Sequence, residues 1–146
     1  MKILLAYDGL EHSRNALPTA VELGRAEGAE ITILSVVPPD ARGSKSGGHV
    51  GLRPHAHEDV AKAHAFLREE GIQSEMRMEN GEPATEIARV AEEGGYDLIL
   101  VGSRGRTAVG ELVLGSVSNT LIRQAPCPVL VAGANVTTRF EPEGRD

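Results

Sequence analysis

Tryptophan is missing from this chain, and the aromatic residues are limited to two Tyr and two Phe. Stacking platforms for nucleic-acid bases are built from such rings. The formal net charge of −6 removes the basic surface that a phosphate backbone selects. A nucleic-acid partner is therefore not expected. A single cysteine, Cys127, cannot close an internal disulfide, and a reducing cytoplasm is the expected setting. No apolar run approaches the ~20 residues of a membrane span, so no membrane partner is expected either. The opening Met1-Lys2-Ile3-Leu4-Leu5-Ala6-Tyr7-Asp8 reaches an acid too early for a signal peptide and reads as a buried strand.

What is present is an ordinary globular composition, 40% apolar and 25% charged, in 146 residues, which suits one domain. Strand and helix signals alternate throughout. Lys2–Tyr7 is a short apolar run closed by the turn pair Asp8-Gly9. A helix is predicted from about Ser13 to Ala26, with Ser13 as N-cap and Ala16, Leu17, Ala20, Val21 and Gly24 on one face. Pro18 conflicts with that cap, because it falls beyond the first turn and should kink the helix. Glu30–Val37 is a β-branched strand stopped by Pro38-Pro39. Residues of about 40–56 carry Gly43, Gly47, Gly48, Gly51 and Pro54 and read as a mobile loop.

A helix near Glu58–Glu70 stops at Gly71. Gln73–Glu79 alternates as an edge strand does. Gly81-Glu82-Pro83 opens a helix that runs to Gly94-Gly95, with Pro83 at its first position. Asp97–Val101 is a second core strand, and a helix from Ser116 to Gln124 leads into a last strand, Val129–Ala132. The fold class is thus α/β: a single-domain, Rossmann-like parallel sheet of five strands with helices on both faces. The domain is expected over residues 1–134, with a polar tail at 135–146.

The stretch that carries chemistry is Gly102-Ser103-Arg104-Gly105, then nine residues, then Gly115-Ser116-Val117-Ser118. It leaves a core strand and ends where a helix starts. Glycines let the backbone pass close to a ligand, and free amides at a helix start attract anions. The hydroxyls of Ser103, Ser116 and Ser118 add donors. Residues 102–124 set Arg104, Arg106 and Arg123 against Glu111 alone, a positive segment in an acidic chain. A phosphate site is the reading that joins these features. It is not a Walker loop: Gly110 and Gly115-Ser116 have the glycine spacing, but Val117 stands where the phosphate-gripping sequence differs and the lysine is missing. No G-x-G-x-x-G fingerprint follows the first strand.

These residues resemble the ATP-binding branch of the universal stress proteins. The pattern G-x-x-G, nine residues, G-S/T is met by Gly102, Gly105, Gly115 and Ser116. The likeness extends to Leu-Ala-Tyr-Asp-Gly near the start, Gly81-Glu82-Pro83, Asp97-Leu-Ile-Leu-Val-Gly-Ser-Arg-Gly, and Ala-Pro-Cys-Pro-Val-Leu-Val near the end. It covers Lys2 to about Ala132. The resemblance implies a sheet order of 3-2-1-4-5, with a ligand crevice between the first and fourth strands. It also implies an ATP, ADP or AMP ligand, with Mg²⁺ arriving on the nucleotide. The expected binding residues are Ala6, Tyr7, Asp8, Val36, Val37, Gly102, Ser103, Arg104, Gly105, Gly115, Ser116, Val117 and Ser118. Asp8 would hold the nucleoside or the nucleotide-bound metal, and the backbone at Val36 or Val37 the adenine. The implied role is a stress-response regulator, not an enzyme. It would pair as a homodimer through Val129, Leu130 and Val131, an apolar edge that soluble proteins seldom leave open. Leu10 departs from the family, where a small polar residue commonly follows Asp-Gly.

Other features have plainer readings. Asp8 is not a receiver-domain phospho-acceptor, since the only lysines are Lys2, Lys45 and Lys62 and none follows the last strand. His49, His55, His57 and His64 read as part of a solvated loop rather than a metal site. Cys127, between two prolines, reads as a buried structural thiol. No catalytic base stands out beside the phosphate loop, where Glu111 is the one acid. Small α/β enzymes that hydrolyse or transfer adenine-nucleotide phosphates, and a structural dimer without ligand, are the alternatives.

Overall fold

The computed structural model of the chain describes residues 1–39, 55–103, 105–106 and 112–133. Most of the expected loop at 40–56, the expected tail at 135–146, and Arg104, His49 and Glu111 lie outside the described residues. The elements run β1 (Lys2–Ala6), α1 (Glu11–Arg14), α2 (Leu17–Glu27), β2 (Glu30–Val37), α3 (Ala56–Glu69), β3 (Ser74–Asn80), α4 (Pro83–Gly94), β4 (Leu98–Gly102), β5 (Gly105–Arg106), β6 (Leu112–Val113), α5 (Ser116–Gln124) and β7 (Val129–Ala132).

The main sheet has the order β3-β2-β1-β4-β7 and every neighbouring pair is parallel. That is the 3-2-1-4-5 order expected for five strands. Parallel strands need crossovers, and the helices that supply them cover both faces. Strand alternation sorts the core accordingly. Ile3, Leu5 and Tyr7, with Ile31 and Ile33, pack under α2 and α3 through Leu17, Val21, Val60 and Leu67. Leu4, Leu34, Val36, Ile99 and Val101 pack under α4 and α5 through Ile87, Val90 and Leu121. Ile3, Leu4 and Leu5 are all fully buried, each side chain stabilising the fold by about 1.5–3 kcal/mol.

The single helix expected from Ser13 to Ala26 is two helices. Proline has no amide to give, and its ring clashes with the carbonyl four residues back. The turn that starts at Glu11 therefore ends at Arg14, and α2 begins afresh with Pro18 in its first turn. Ser13 lies inside α1 and does not cap α2, whose N-cap is Ala16. Helix α3 starts two residues before the expected Glu58, and Gly71 (φ +84°) follows its end as a left-handed stop. The glycine-bearing stretch between β4 and α5, where no element was expected, contains a small antiparallel ladder, with Gly105 opposite Val113 and Arg106 opposite Leu112. No described helix is long and apolar enough to cross a membrane.

Candidate functional site

In an open parallel sheet, a crevice forms beyond the carboxyl ends of the strands where neighbouring crossovers leave to opposite faces. Here β1 continues to β2 on one side and borders β4 on the other. A cavity of about 160 Å³ opens there. One wall is apolar: Ala6, Leu34, Val36 and Val101 from the sheet, and Pro83 and Ile87 from α4. The rest of the lining comes from Asp8, His12 and Ser13 in the first loop, and from Gly115, Ser116, Val117 and Ser118 at the start of α5.

The first loop is closed by its own side chains. Leu10 N donates to Asp8 Oδ1 at 2.9 Å, while Gly9 N and Asp8 N approach Ser13 Oγ at 3.1 and 3.3 Å. Ser13 Oγ donates in turn to the Leu10 carbonyl at 3.0 Å. The amides of Asp8, Gly9 and Leu10 are thus used within the loop. Donors for an anion must come from elsewhere in the lining. At the start of α5 the N-cap is Gly115, which has no side chain with which to cap the helix. The first main-chain bond back to the cap is Asn119 N to Gly115 O, 3.0 Å. The amides of Ser116, Val117 and Ser118 precede it and have no acceptor within the helix, so they form an anion-attracting end.

Gly102 lines the cavity and has a second task as well. A Cβ there would overlap the His12 carbonyl oxygen and would stand 2.7 Å from the His12 carbonyl carbon and 3.1 Å from Ser13 Cα. The missing side chain admits the backbone of α1, which seats the His12 ring in the cavity. Its Nε2 stands 3.3 Å from Asp8 Oδ2. Burial raises the Tyr7 hydroxyl pKa above its ordinary value; Arg14 opposes this, and Asp59 and Asp8 add to it.

The Universal stress protein family matches residues 1–133. The chain belongs to the universal stress protein family. Universal stress protein YxiE of Bacillus subtilis (strain 168) is 36% identical over 143 residues, covering 89% of this chain and 97% of that protein. A solved universal stress protein from Archaeoglobus fulgidus, 27% identical, has a TM-score of 0.73 and covers 90% of this chain and 97% of that one. A universal stress protein solved in complex with cAMP, 24% identical with a TM-score of 0.70, covers 92% and 97% and shares the fold.

Within this universal stress protein fold, Ala6, Tyr7, Asp8, Val36, Gly102, Gly115, Ser116, Val117 and Ser118 come together around the cavity. Val37 does not line it. Strand alternation turns its side chain to the opposite face from Val36, and its carbonyl accepts the Gly81 amide at 3.0 Å. Ser103 is fully buried, with its amide donating to the Ala132 carbonyl at 2.7 Å, and it too lies outside the lining. Gly105 pairs with Val113 in the small ladder. Among the described residues His12, Ser13, Leu34, Pro38, Pro83, Ile87 and Val101 complete the lining and were not among the expected residues. Period-two alternation from Val36 would have found Leu34, whereas His12 carried no local signal.

Both Asp8 oxygens are engaged, one by Leu10 N and one by His12. Among the described residues no three His, Cys, Asp or Glu side chains gather as a metal site. His55 pairs with Glu58, and His64 with Ser74 Oγ at 2.8 Å. Cys127 is half-buried rather than buried, and desolvation pushes its thiol pKa up, with Asp97 adding to the effect and the Ile99 amide opposing it. That keeps it a poor nucleophile.

Proposed function

We propose that this chain binds an adenine nucleotide, ATP or the related ADP or AMP, in the crevice between β1 and β4. It acts there as a homodimeric cytoplasmic regulator in the stress response, not as a dedicated enzyme. One observation carries the reading. The apolar residues Ala6, Leu34, Val36, Ile87 and Val101 and the uncapped start of α5 at Ser116, Val117 and Ser118 border a single hollow. An apolar slot suits a flat base, and the positive end of a helix suits phosphate. Asp8 and Ser13 border the same hollow and offer polar groups to a ribose. Magnesium, where bound, arrives on the phosphates. The cAMP complex of the same fold is consistent with such a crevice, while the ligand reading rests on this chain's own residues.

The test is thermal melting with and without millimolar Mg-ATP. Ligand at 100 times its dissociation constant adds about 2.7 kcal/mol to a form that binds only when folded. An unchanged midpoint would overturn the proposal. Gly115→Val should abolish the shift, because its side chain would cover the amides. The Gly115 φ of −76° is open to any residue, so that variant tests space and not strain.

The dimer is proposed through β7. Among the described residues that strand pairs only with β4, and its sequence Val-Leu-Val-Ala leaves Leu130 38% exposed. The other edge, β3, carries Glu75, Arg77 and Glu79, charges that discourage edge pairing. Light scattering should give twice the chain mass, and a monomer at high micromolar concentration would contradict the pairing.

A second reading, phosphate hydrolysis, is favoured by one feature that sequence reasoning missed. His12 is a base-type residue in the crevice, with Asp8 beside it as an orienting acid. Turnover above ~1 per second, an ordinary enzymatic pace, would move the chain into the enzyme class.

A further inference from the structure

Edge strand β3 carries Met76 and Met78, which are 45% and 37% exposed. Alternation puts the two methionines on one face of the sheet and Arg77 and Glu79 on the other, where Glu79 accepts from Arg89 of α4. The parallel register sets Met76 beside Ile33 and Met78 beside Ser35. Register partners in adjacent strands share a face, so both methionines stand on the side that Ile33 turns toward α2 and α3. Ser35 is 1% exposed, and among the described residues its Oγ is the one buried side-chain oxygen or nitrogen without a hydrogen-bond partner. Buried hydroxyls are nearly always paired, and an orphan calls for a reason. The thioether beside it gives no relief, because sulfur is a weak acceptor. A sulfoxide at the same position would bring a strong acceptor oxygen.

We propose that Met78 is an oxidation site for hydrogen peroxide, and that the Ser35 hydroxyl is the donor that recognises its sulfoxide. This stands apart from the nucleotide reading. A sulfur lone pair attacks one oxygen of the peroxide, and the O–O bond breaks as the S–O bond forms. Two electrons pass from sulfur to the departing oxygen, which takes the proton of the attacked oxygen through solvent and leaves as water. Such oxidation harms a fold when it puts a polar atom into an apolar core. Here the sulfur sits on an exposed edge, outside both core clusters, and the new oxygen has a donor beside it. Met76 is the internal control: it is more exposed, but Ile33 beside it has nothing to donate. Cys127 is the poorer target. Desolvation raises its pKa, and the thiolate is the form that reacts.

The experiment treats the full chain with hydrogen peroxide, maps the products by peptide mass spectrometry, and compares each protein's melting midpoint with that of its own reduced form. Met76→Leu leaves Met78 as the only sulfur on β3. In that background Met78 should be oxidised, and the midpoint should hold or rise. With Ser35→Ala added, the midpoint should instead fall on oxidation, a difference of roughly 3 °C between the two responses. Met78→Leu leaves Met76, and there Ser35→Ala should not alter the response. Met1 is common to every variant and cancels. Enzymatic repair gives a second readout, since each sulfoxide epimer has its own reductase. The epimer whose oxygen is held by Ser35 should be reduced about threefold more slowly than in Ser35→Ala, the cost of breaking one modest hydrogen bond.

Three results would overturn the inference. In the wild type, peroxide could oxidise Met76 or Cys127 and spare Met78. The midpoint could fall by the same amount with and without Ser35, with repair rates equal as well, which would leave Met78 an ordinary exposed thioether. Ser35→Ala could change the response as much in the Met78→Leu background, which would mean that Ser35 answers to packing in β2 and not to the sulfoxide. A loss of ATP binding in the untreated protein would bring down the nucleotide reading alone and leave this site standing.

Discussion

The two ends of the sheet carry hollows of opposite character. At the carboxyl ends of the strands the crevice is about 160 Å³; at the amino ends a groove of about 770 Å³ runs past Lys2, Thr32, His64, Arg68 and Tyr96. By size the second would be the binding site. Its polar groups, however, already serve the fold. Lys2 Nζ donates to the Gly94 carbonyl and lies 4.6 Å from the centre of the Tyr96 ring. The Tyr96 hydroxyl donates to Thr32 Oγ1 at 2.7 Å, and His64 is joined to Ser74. The difference follows from topology. In a parallel sheet every crossover helix begins near the carboxyl ends of the strands and finishes near the amino ends. One end of the molecule therefore collects helix starts with free amides, and the other collects helix stops with their carbonyls. An anion has reason to choose the smaller hollow.

The sharpest way to break this contrast is at Gly102. Gly102→Ala would push a methyl group into the His12 carbonyl and the Ser13 backbone, neither of which can swing aside. Overpacking of this kind costs about 1–3 kcal/mol, and the upper part of that range is expected against backbone. The displaced α1 would take His12 away from Asp8 and Ser13 away from the Asp8 and Gly9 amides. The variant should melt several degrees lower and lose its ATP-induced shift. A variant that keeps both its midpoint and its shift would show that α1 is not seated on β4 as described.

Much of this was legible in the sequence, for reasons that differ from one element to another. The strands Glu30–Val37 and Val129–Ala132 and the helix Ser116–Gln124 have the bounds expected of them, because β-branched runs between prolines and glycines leave little choice. The amide-rich side of the crevice was legible because glycine and serine at a helix start have few other uses. The apolar side was not: Ile87 and Val101 look like any core residue, and only the tertiary fold decides which core residues border a hollow. Pro18 marked a break without revealing which residue caps the next helix. The two-residue ladder of β5 and β6 is too short to leave a period. Glycine at position 102 was read as room for a ligand, and the structure also uses it as room for the chain itself. A close approach is evident from sequence, but the partner that makes it is not.

A smaller test leaves the crevice alone and alters the opposite end. Tyr96→Phe removes the hydroxyl that donates to Thr32 Oγ1, in a part-buried position 64 residues away along the chain. Losing such a bond costs about 0.5–1.5 kcal/mol, or a drop of roughly 3 °C in melting midpoint for a chain of this size. Thr32 is itself buried, which places the expected cost in the middle of that range and not at its floor. If the amino-end groove is only a structural seam, the ATP-induced shift should be the same in this variant as in the wild type. The strand that joins the two ends, β2, holds Thr32 at one end and Val36 at the other, both on the face toward α4. A reduced shift would therefore mean that strain at the seam reaches the crevice along β2, and the two hollows would have to be treated as one coupled system.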